Sequence, residues 1–444
     1  YLIQVDFCLQ IKGFGYNKMN KTEYIADAFG VSRRAIELIN EAEKAVVDKF
    51  RELEETAEIN QLKVMCAFSD NRVSERHFVP TTGYGYDDDG RDTLDKIYAQ
   101  IFGAEDALVR HNWVNGSHTL STMLYAVLRP GDTLLAVTGK PYDTLEEVIG
   151  IAGDDGNGSL KDFGINYKQI DLVNGDIDKE AIEKTLKEEK IRAVMIQRSK
   201  GYDWRPTYSA EKIGEIVKFV KNVSPDTLCI VDNCYGEFAD TKEPTDFGAD
   251  LIAGSLIKNP GGGLAPTGGY IAGKKDLIEL CSYRMTCVGI GRECGATMDF
   301  NRHAYQGLFM APHTVLQALK AATLCASVFS MLGYETDPLP DGERHDIIQS
   351  VKFGNKDKMI AFIQGIQKGA PVDSFVVPEP WDMPGYQDQV IMAAGAFVQG
   401  ASIELSADAP LREPYVAYMQ GGLTYESAKL GITVAADNIL KLNG

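Results

Sequence analysis

Absent from this chain is any CxxC pair. Its eight cysteines, at positions 8, 66, 229, 234, 281, 287, 294 and 325, sit mostly among apolar or small residues. That predicts reduced thiols and a cytoplasmic setting rather than a disulfide framework. Cys281, Cys287, Cys294 and His303 match no zinc spacing, so no metal is expected. Positive charge is also scarce: 45 lysines and arginines against 63 acids give a formal net charge of -18. Nucleic acid and an anionic membrane are therefore poor partners, whereas a small substrate in a locally basic pocket stays open. No segment reads as long and apolar enough to span a bilayer. Tyr1 to Lys18 lacks the basic start, apolar middle and cleavage site of a secretory signal. Met19 is the expected start, with 1–18 an extension set aside from fold reasoning. Internal repeats, low-complexity tracts and long charge runs are missing as well.

What is present is the composition of a globular protein, 44% hydrophobic and 24% charged, over 444 residues, a length that suggests two domains. Ser32 to about Ala57 carries apolar residues at helical spacing, and Ile59 to Phe68 reads as a second helix. From Ala107 onward short apolar runs alternate with helices. Strands are expected at 133–137, 165–171, 193–197, 227–231 and 251–257, and helices at 93–102, 118–128, 179–189 and 210–220. This is the βαβ rhythm of a doubly wound, mostly parallel sheet. A long helix from Met310 to Leu332 leads to a smaller α+β domain, with expected strands at 346–353, 375–377 and 402–405 and a helix at 356–368. The expected divisions are a helical arm with the extension (1–70), a large domain (71–311) and a small domain (312–444).

In doubly wound sheets ligands gather outside the carboxyl ends of the strands. Tyr142, Arg198, Asp232 and Lys258 all fall at such ends. Asp250 to Gly273, DLIAGSLIKNPGGGLAPTGGYIAG, delivers Lys258 from an apolar run into a glycine-rich turn. Partial dehydration there predicts an amine more easily neutralised than usual. Taken alone, Lys258 also reads as a solvated surface lysine, Ser117 as an ordinary helix cap, and Asp232 as a turn aspartate. Together, an acid at one strand end and a lysine at the next suit pyridoxal phosphate (PLP), which needs an acid beside its ring nitrogen and a lysine for its aldehyde.

The ordered set RVSERHF, TTGYGYDDDGRDTL, NGSHTL, GKPYDTLEEVIG, QRSKGYDWRPT, VDNCYGEF, GSLIKNPGGGLAPTGGYIAG and GLFMAPHTVLQALK resembles fold-type I PLP-dependent enzymes of cystathionine and methionine metabolism. The similarity is strongest to the branch called methionine gamma-lyase-like or aluminium resistance proteins. The resemblance implies an α/β, transferase-like large domain with a mostly parallel sheet, a smaller C-terminal domain, and PLP as cofactor. Lys258 would be the Schiff-base lysine and Asp232 the partner of the ring nitrogen. Gly116, Ser117 and Ser255 would hold the phosphate, and Tyr142 would stack on the ring and help move protons. Tyr86 and Arg91 would enter a neighbouring subunit's phosphate site, which implies a homodimer or homotetramer with shared active sites. Asn115 stands where this branch usually has serine. The C-terminal R-x-S segment of larger relatives reads SIELSADAPLREPY here, leaving Arg412, with Arg198 as rival, for the substrate carboxylate. The implied activity is β- or γ-elimination from a sulfur-containing amino acid, of cystathionine beta-lyase or methionine gamma-lyase type. Alternatives are an aminotransferase or a PLP-holding protein without turnover. GGGLAPTGG lacks the GxGxxG spacing of a dinucleotide site.

Overall fold

The computed structural model describes residues 20–383, 386 and 388–443. The expected extension 1–18, with Cys8 and Met19, lies outside them. The apolar runs become a seven-stranded sheet of β1 (Asp106–Arg110), β2 (Thr133–Ala136), β3 (Asn166–Gln169), β4 (Ala193–Gln197), β5 (Leu228–Asp232), β6 (Leu251–Ser255) and β7 (Gly269–Gly273). The order across the sheet is β1-β7-β6-β5-β4-β2-β3, parallel except that β7 runs against both β1 and β6.

β4, β5 and β6 are buried along their whole length because successive side chains feed two different cores. Val194, Ile196, Cys229 and Val231 join the core that includes the helices Lys179–Glu188 and Ala210–Val223. Ala193, Met195, Leu228 and Ile230 face the helices Gly116–Val127 and Lys275–Met285 on the other side. This is the doubly wound arrangement. No strand is expected from the sequence at β7, whose pairing with both β1 and β6 makes it one.

The second sheet is antiparallel, in the order β10-β11-β12-β9-β8. Its strands are β8 (Glu335–Asp337), β9 (Gln349–Lys352), β10 (Val390–Ala393), β11 (Ser406–Pro410) and β12 (Val416–Gln420). The helices Lys356–Lys368 and Tyr425–Asn443 pack on it through Phe362, Ile366, Ile432 and Ala435. These helices approach so closely that a Cβ at Gly365 would stand 2.4 Å from the Ala435 Cα, so only glycine fits. The strand expected at 375–377 does not form, and Phe375 and Val377 are exposed. Residues 402–405 form a turn, with the strand starting at Ser406.

Helix Phe300–Met331 links the two cores. Its first half buries Ala304, Leu308, Ala311 and Val315 under the large sheet, and its second half buries Leu324, Cys325, Val328 and Phe329 in the small domain's core. The reading that no segment could span a bilayer needs correction here, since this helix is long and apolar enough to do so. In this fold 72% of its most apolar window is buried inside the protein. The arm consists of Lys21–Phe29, Arg33–Ala45 and Val47–Asp70. The expected break after Ala57 is absent because Val47 to Asp70 contains neither glycine nor proline.

Candidate active site

Because β2, β4, β5 and β6 run parallel, their carboxyl ends meet at one sheet edge, and register sets Gln197 beside Asp232 and Asp232 beside Ala253. At that edge lies a cavity of about 420 Å³, lined by Gly116, Ser117, Tyr142, Asp232, Ser255 and Lys258 together with Thr144, Gln197, Cys234, Tyr235 and Gln399. Six of the ten residues expected at the site thus share one cavity.

Helix Gly116–Val127 points its start into the cavity. The Asn115 side chain caps it by accepting from the His118 N–H at 2.9 Å, so the Gly116 and Ser117 N–H groups, which have no intrahelical acceptor, remain available to an anion. A Cβ at Gly116 would lie 3.4 Å from both Cys234 Sγ and Ser255 Cβ, so the helix start is seated on the floor of the site. Ser117 Oγ and Thr144 Oγ1 are 2.5 Å apart. Hydroxyls and backbone N–H groups thus converge where a phosphate would need them.

Asp232 is buried, and its Oδ1 accepts from the Cys234 N–H at 3.1 Å. Burial pushes its carboxyl upward, with Lys258 partly opposing. Lys258 Nζ stands 4.0 Å over the centre of the Tyr235 ring. Burial works against the charged amine, but Cys234, Tyr235, Asp232 and Glu237 outweigh it and the net shift is upward. That direction runs against the expectation of an easily neutralised amine, which took account of burial and not of the acidic groups around Nζ. The Tyr142 phenol is also pushed up, by burial and then by Tyr235 and Tyr386. Its hydroxyl meets the Tyr386 hydroxyl at 3.1 Å. An acid for a ring nitrogen, a lysine for an aldehyde, an aromatic face and a phosphate cradle are together the donor set that PLP requires, so the residues fit the group.

The other four expected residues lie elsewhere. Arg198 is fully buried. Its Nη1 donates to Asn233 Oδ1 at 2.8 Å and Glu243 Oε2 at 3.0 Å, and its Nη2 to Asp240 at 2.7 Å. A Cβ at Gly236 would meet its Cδ at 2.4 Å. Arg198 is therefore a buried ion-pair residue, and its candidacy for the substrate carboxylate is withdrawn. Arg91 is buried too, with Nη1 donating to the Gly85 and Gly295 carbonyls at 2.8 and 3.0 Å. It ties two loops of its own chain together instead of pointing outward. Tyr86 is exposed and stacked on Tyr84 with ring centres 5.4 Å apart. Arg412, paired with Asp388 at 3.1 Å, lines an adjoining cleft with Lys140, Asp143, Tyr202 and Tyr386.

Reading the sequence one motif at a time missed Thr144, Gln197, Cys234, Tyr235 and Tyr386. The first four stand in or beside quoted motifs but have side chains without a distinctive chemical signature; Tyr386 comes from a segment with no motif.

The family model described as methionine gamma-lyase matches residues 35–440. A protein of Bacillus subtilis (strain 168), the uncharacterized YnbB, is 52% identical over 90% of this chain and 95% of its own length. A solved structure from Clostridium novyi NT, named a carbon-sulfur lyase involved in aluminum resistance, is 55% identical and covers 95% of this chain and 100% of its own, with a TM-score of 0.91. Another, from Clostridium acetobutylicum and provisionally named a cystathionine beta-lyase involved in aluminum resistance, is 47% identical at the same coverage, with a TM-score of 0.92. At 14% identity, a pyridoxal-5'-phosphate-dependent protein of Escherichia coli shares the fold, with a TM-score of 0.58.

Proposed function

The chain belongs to the methionine gamma-lyase family, and on that premise we propose that it is a PLP-dependent carbon–sulfur lyase, cleaving a sulfur-containing amino acid by β- or γ-elimination. The observation that carries this reading is the meeting of Lys258, Asp232 and the Gly116–Ser117 helix start on one cavity.

When bound, PLP supplies an electron sink for the charge left as the Cα proton departs. Asp232 would hold the ring nitrogen, the Gly116 and Ser117 N–H groups with the Ser117 and Ser255 hydroxyls would hold the phosphate, and Tyr142 would cover the ring. Lys258 would bind the aldehyde, and its Nζ would be the group that accepts the Cα proton. Pairing Asp232 with a cation removes one of the acids that keep Lys258 charged. The neutral amine is then easier to reach. Tyr142, held as a phenol by burial, has a proton to give to the departing sulfur.

Arg412 takes the substrate carboxylate in this reading. Its partner Asp388 is partly exposed, with 38% of its side chain open to solvent, so a carboxylate can displace it. Tyr86, exposed on the loop before the helix Asp89–Ile101, reaches a second copy's phosphate site in a homodimer or homotetramer.

The test is to incubate the purified protein with cystathionine, cysteine and methionine while following PLP absorbance and the release of thiol and 2-oxo acid. Colour and product should both vanish in Lys258→Ala. Wild-type protein that stays colourless with added PLP defeats the proposal, and a coloured protein that turns over only with an oxo-acid acceptor is an aminotransferase.

A further inference from the structure

The two residues after Ile257 both engage the loop that follows β5. Lys258 lays its Nζ 4.0 Å over the face of Tyr235. Asn259 Nδ2 donates to the Tyr235 carbonyl at 2.8 Å and to the Glu237 carbonyl at 3.0 Å. Tyr235 needs that clamp, because its φ of 73° lies in the left-handed region that non-glycine residues seldom occupy. The far end of its ring is anchored as well, since the hydroxyl lies 3.0 Å from Ser402 Oγ, across the cleft in the small domain. A strained backbone, a side-chain clamp and a hydroxyl tether thus present one aromatic face to one amine.

We propose that Tyr235 is the positioning residue for Lys258, its ring face holding the lysine as an ammonium at the cavity wall while the lysine carries the substrate's proton. This rests on the lyase reading above. The face of an aromatic ring attracts a cation and has no comparable hold on a neutral amine, and the attraction strengthens as water is excluded. Lys258 must leave the aldehyde, accept a proton from Cα and return one later. Between those events it is a charged side chain on four rotatable bonds, and an unheld ammonium would scatter among rotamers. Tyr235 gives it one place to stay, next to the cavity both residues line.

Other groups also act on the amine. Asp232 comes from the end of β5, Cys234 and Glu237 from the same loop as Tyr235, and Asp408 from β11. Those that are ionised favour the ammonium, whereas Glu237, which keeps its proton up to about pH 8, and the Cys234 thiol, pushed well up by burial, are neutral below that. The ring is the group that Nζ stands directly against, 4.0 Å from its centre.

The test uses protein stripped of PLP and follows the rate of PLP uptake by absorbance across pH, because uptake needs the neutral amine. Tyr235→Leu should take up PLP on the order of fivefold to thirtyfold faster than wild type at a given pH below the lysine's pKa, since the ammonium has lost its support. Tyr235→Phe, which keeps the face and loses the Ser402 contact, should follow the wild-type pH dependence. Phenylalanines carrying one, two and three ring fluorines at 235 keep the shape and weaken the face, so they should raise the rate stepwise even where leucine impairs folding. Identical uptake across the fluorinated series overturns the proposal, as does a Tyr235→Phe shift as large as that of Tyr235→Leu. Wild-type protein that takes up no PLP overturns the lyase reading along with it.

Discussion

The hydroxyls of Tyr142 and Tyr386 lie 3.1 Å apart, one at the start of the helix after β2 and the other in the segment leading to β10. The contact bridges the carboxyl edge of the large sheet and the small domain where the cavity adjoins the Arg412 cleft. The hydroxyl proposed to protonate the leaving sulfur is thereby positioned by both domains.

Tyr142→Phe removes that donor and keeps the ring. PLP should remain bound with its absorbance little changed, while kcat falls by roughly 100-fold, the lower range for losing a general acid. Because the phenol is pushed well above its ordinary value, the deficit should be constant from pH 6 to 9. Steady-state rates across that range, with bound PLP quantified by absorbance, are the check.

Asp232→Asn keeps the shape and removes the charge. A buried cation left without its carboxylate costs about 3 kcal/mol or more, so kcat/KM should drop by roughly 100-fold, with weaker retention of PLP on dialysis. Unchanged kinetics would show that another group supports the ring nitrogen.

The two arginines should separate cleanly. Arg198→Ala leaves the buried Glu243 without its cation, and denaturant unfolding should show a loss of about 3–5 kcal/mol. Arg412→Gln should leave the unfolding free energy within about 0.5 kcal/mol of wild type, as for an exposed pair, and raise KM for the amino acid with a smaller effect on kcat. A large KM effect from Arg198 without loss of stability would reverse this assignment.

Glu237 is buried, accepts from the Tyr270 hydroxyl at 2.8 Å through Oε1, and leaves Oε2 without a partner among the described residues. Burial pushes its carboxyl up to about 8. A raised acid keeps its proton in the folded protein while the unfolded chain, with an ordinary value of 4.5, releases it. The folded state therefore loses relative stability as pH rises from about 4.5 to about 8, and no further above that. Glu237→Gln lacks this titration. The stability of the variant minus that of wild type should climb across that window by up to a few kcal/mol and then level off, as read from unfolding curves at matched pH values.

The large sheet was legible in sequence because parallel strands buried on both faces must be short apolar runs, and AVMIQ, LCIVD and LIAGS can be little else. The small domain was less so. β10 and β12 carry no motif, and 375–377, as apolar as a strand, pairs with no strand among the described residues. An apolar run predicts burial, but its partner is set by distant parts of the chain.

The site divides along the same line. Sequence alone determined which residue types stand at the ends of the strands, and the βαβ pattern so brought Lys258, Asp232, Tyr142 and Arg198 to one edge, while the family resemblance added Ser255 and the Gly116–Ser117 helix start. Tertiary structure alone decided what each side chain faces. It turned Arg198 and Arg91 inward, where charge is satisfied by buried acids and carbonyls, and it set Tyr235 beneath Lys258. Side-chain partners depend on contacts between segments far apart in the chain, and local spacing carries no record of those.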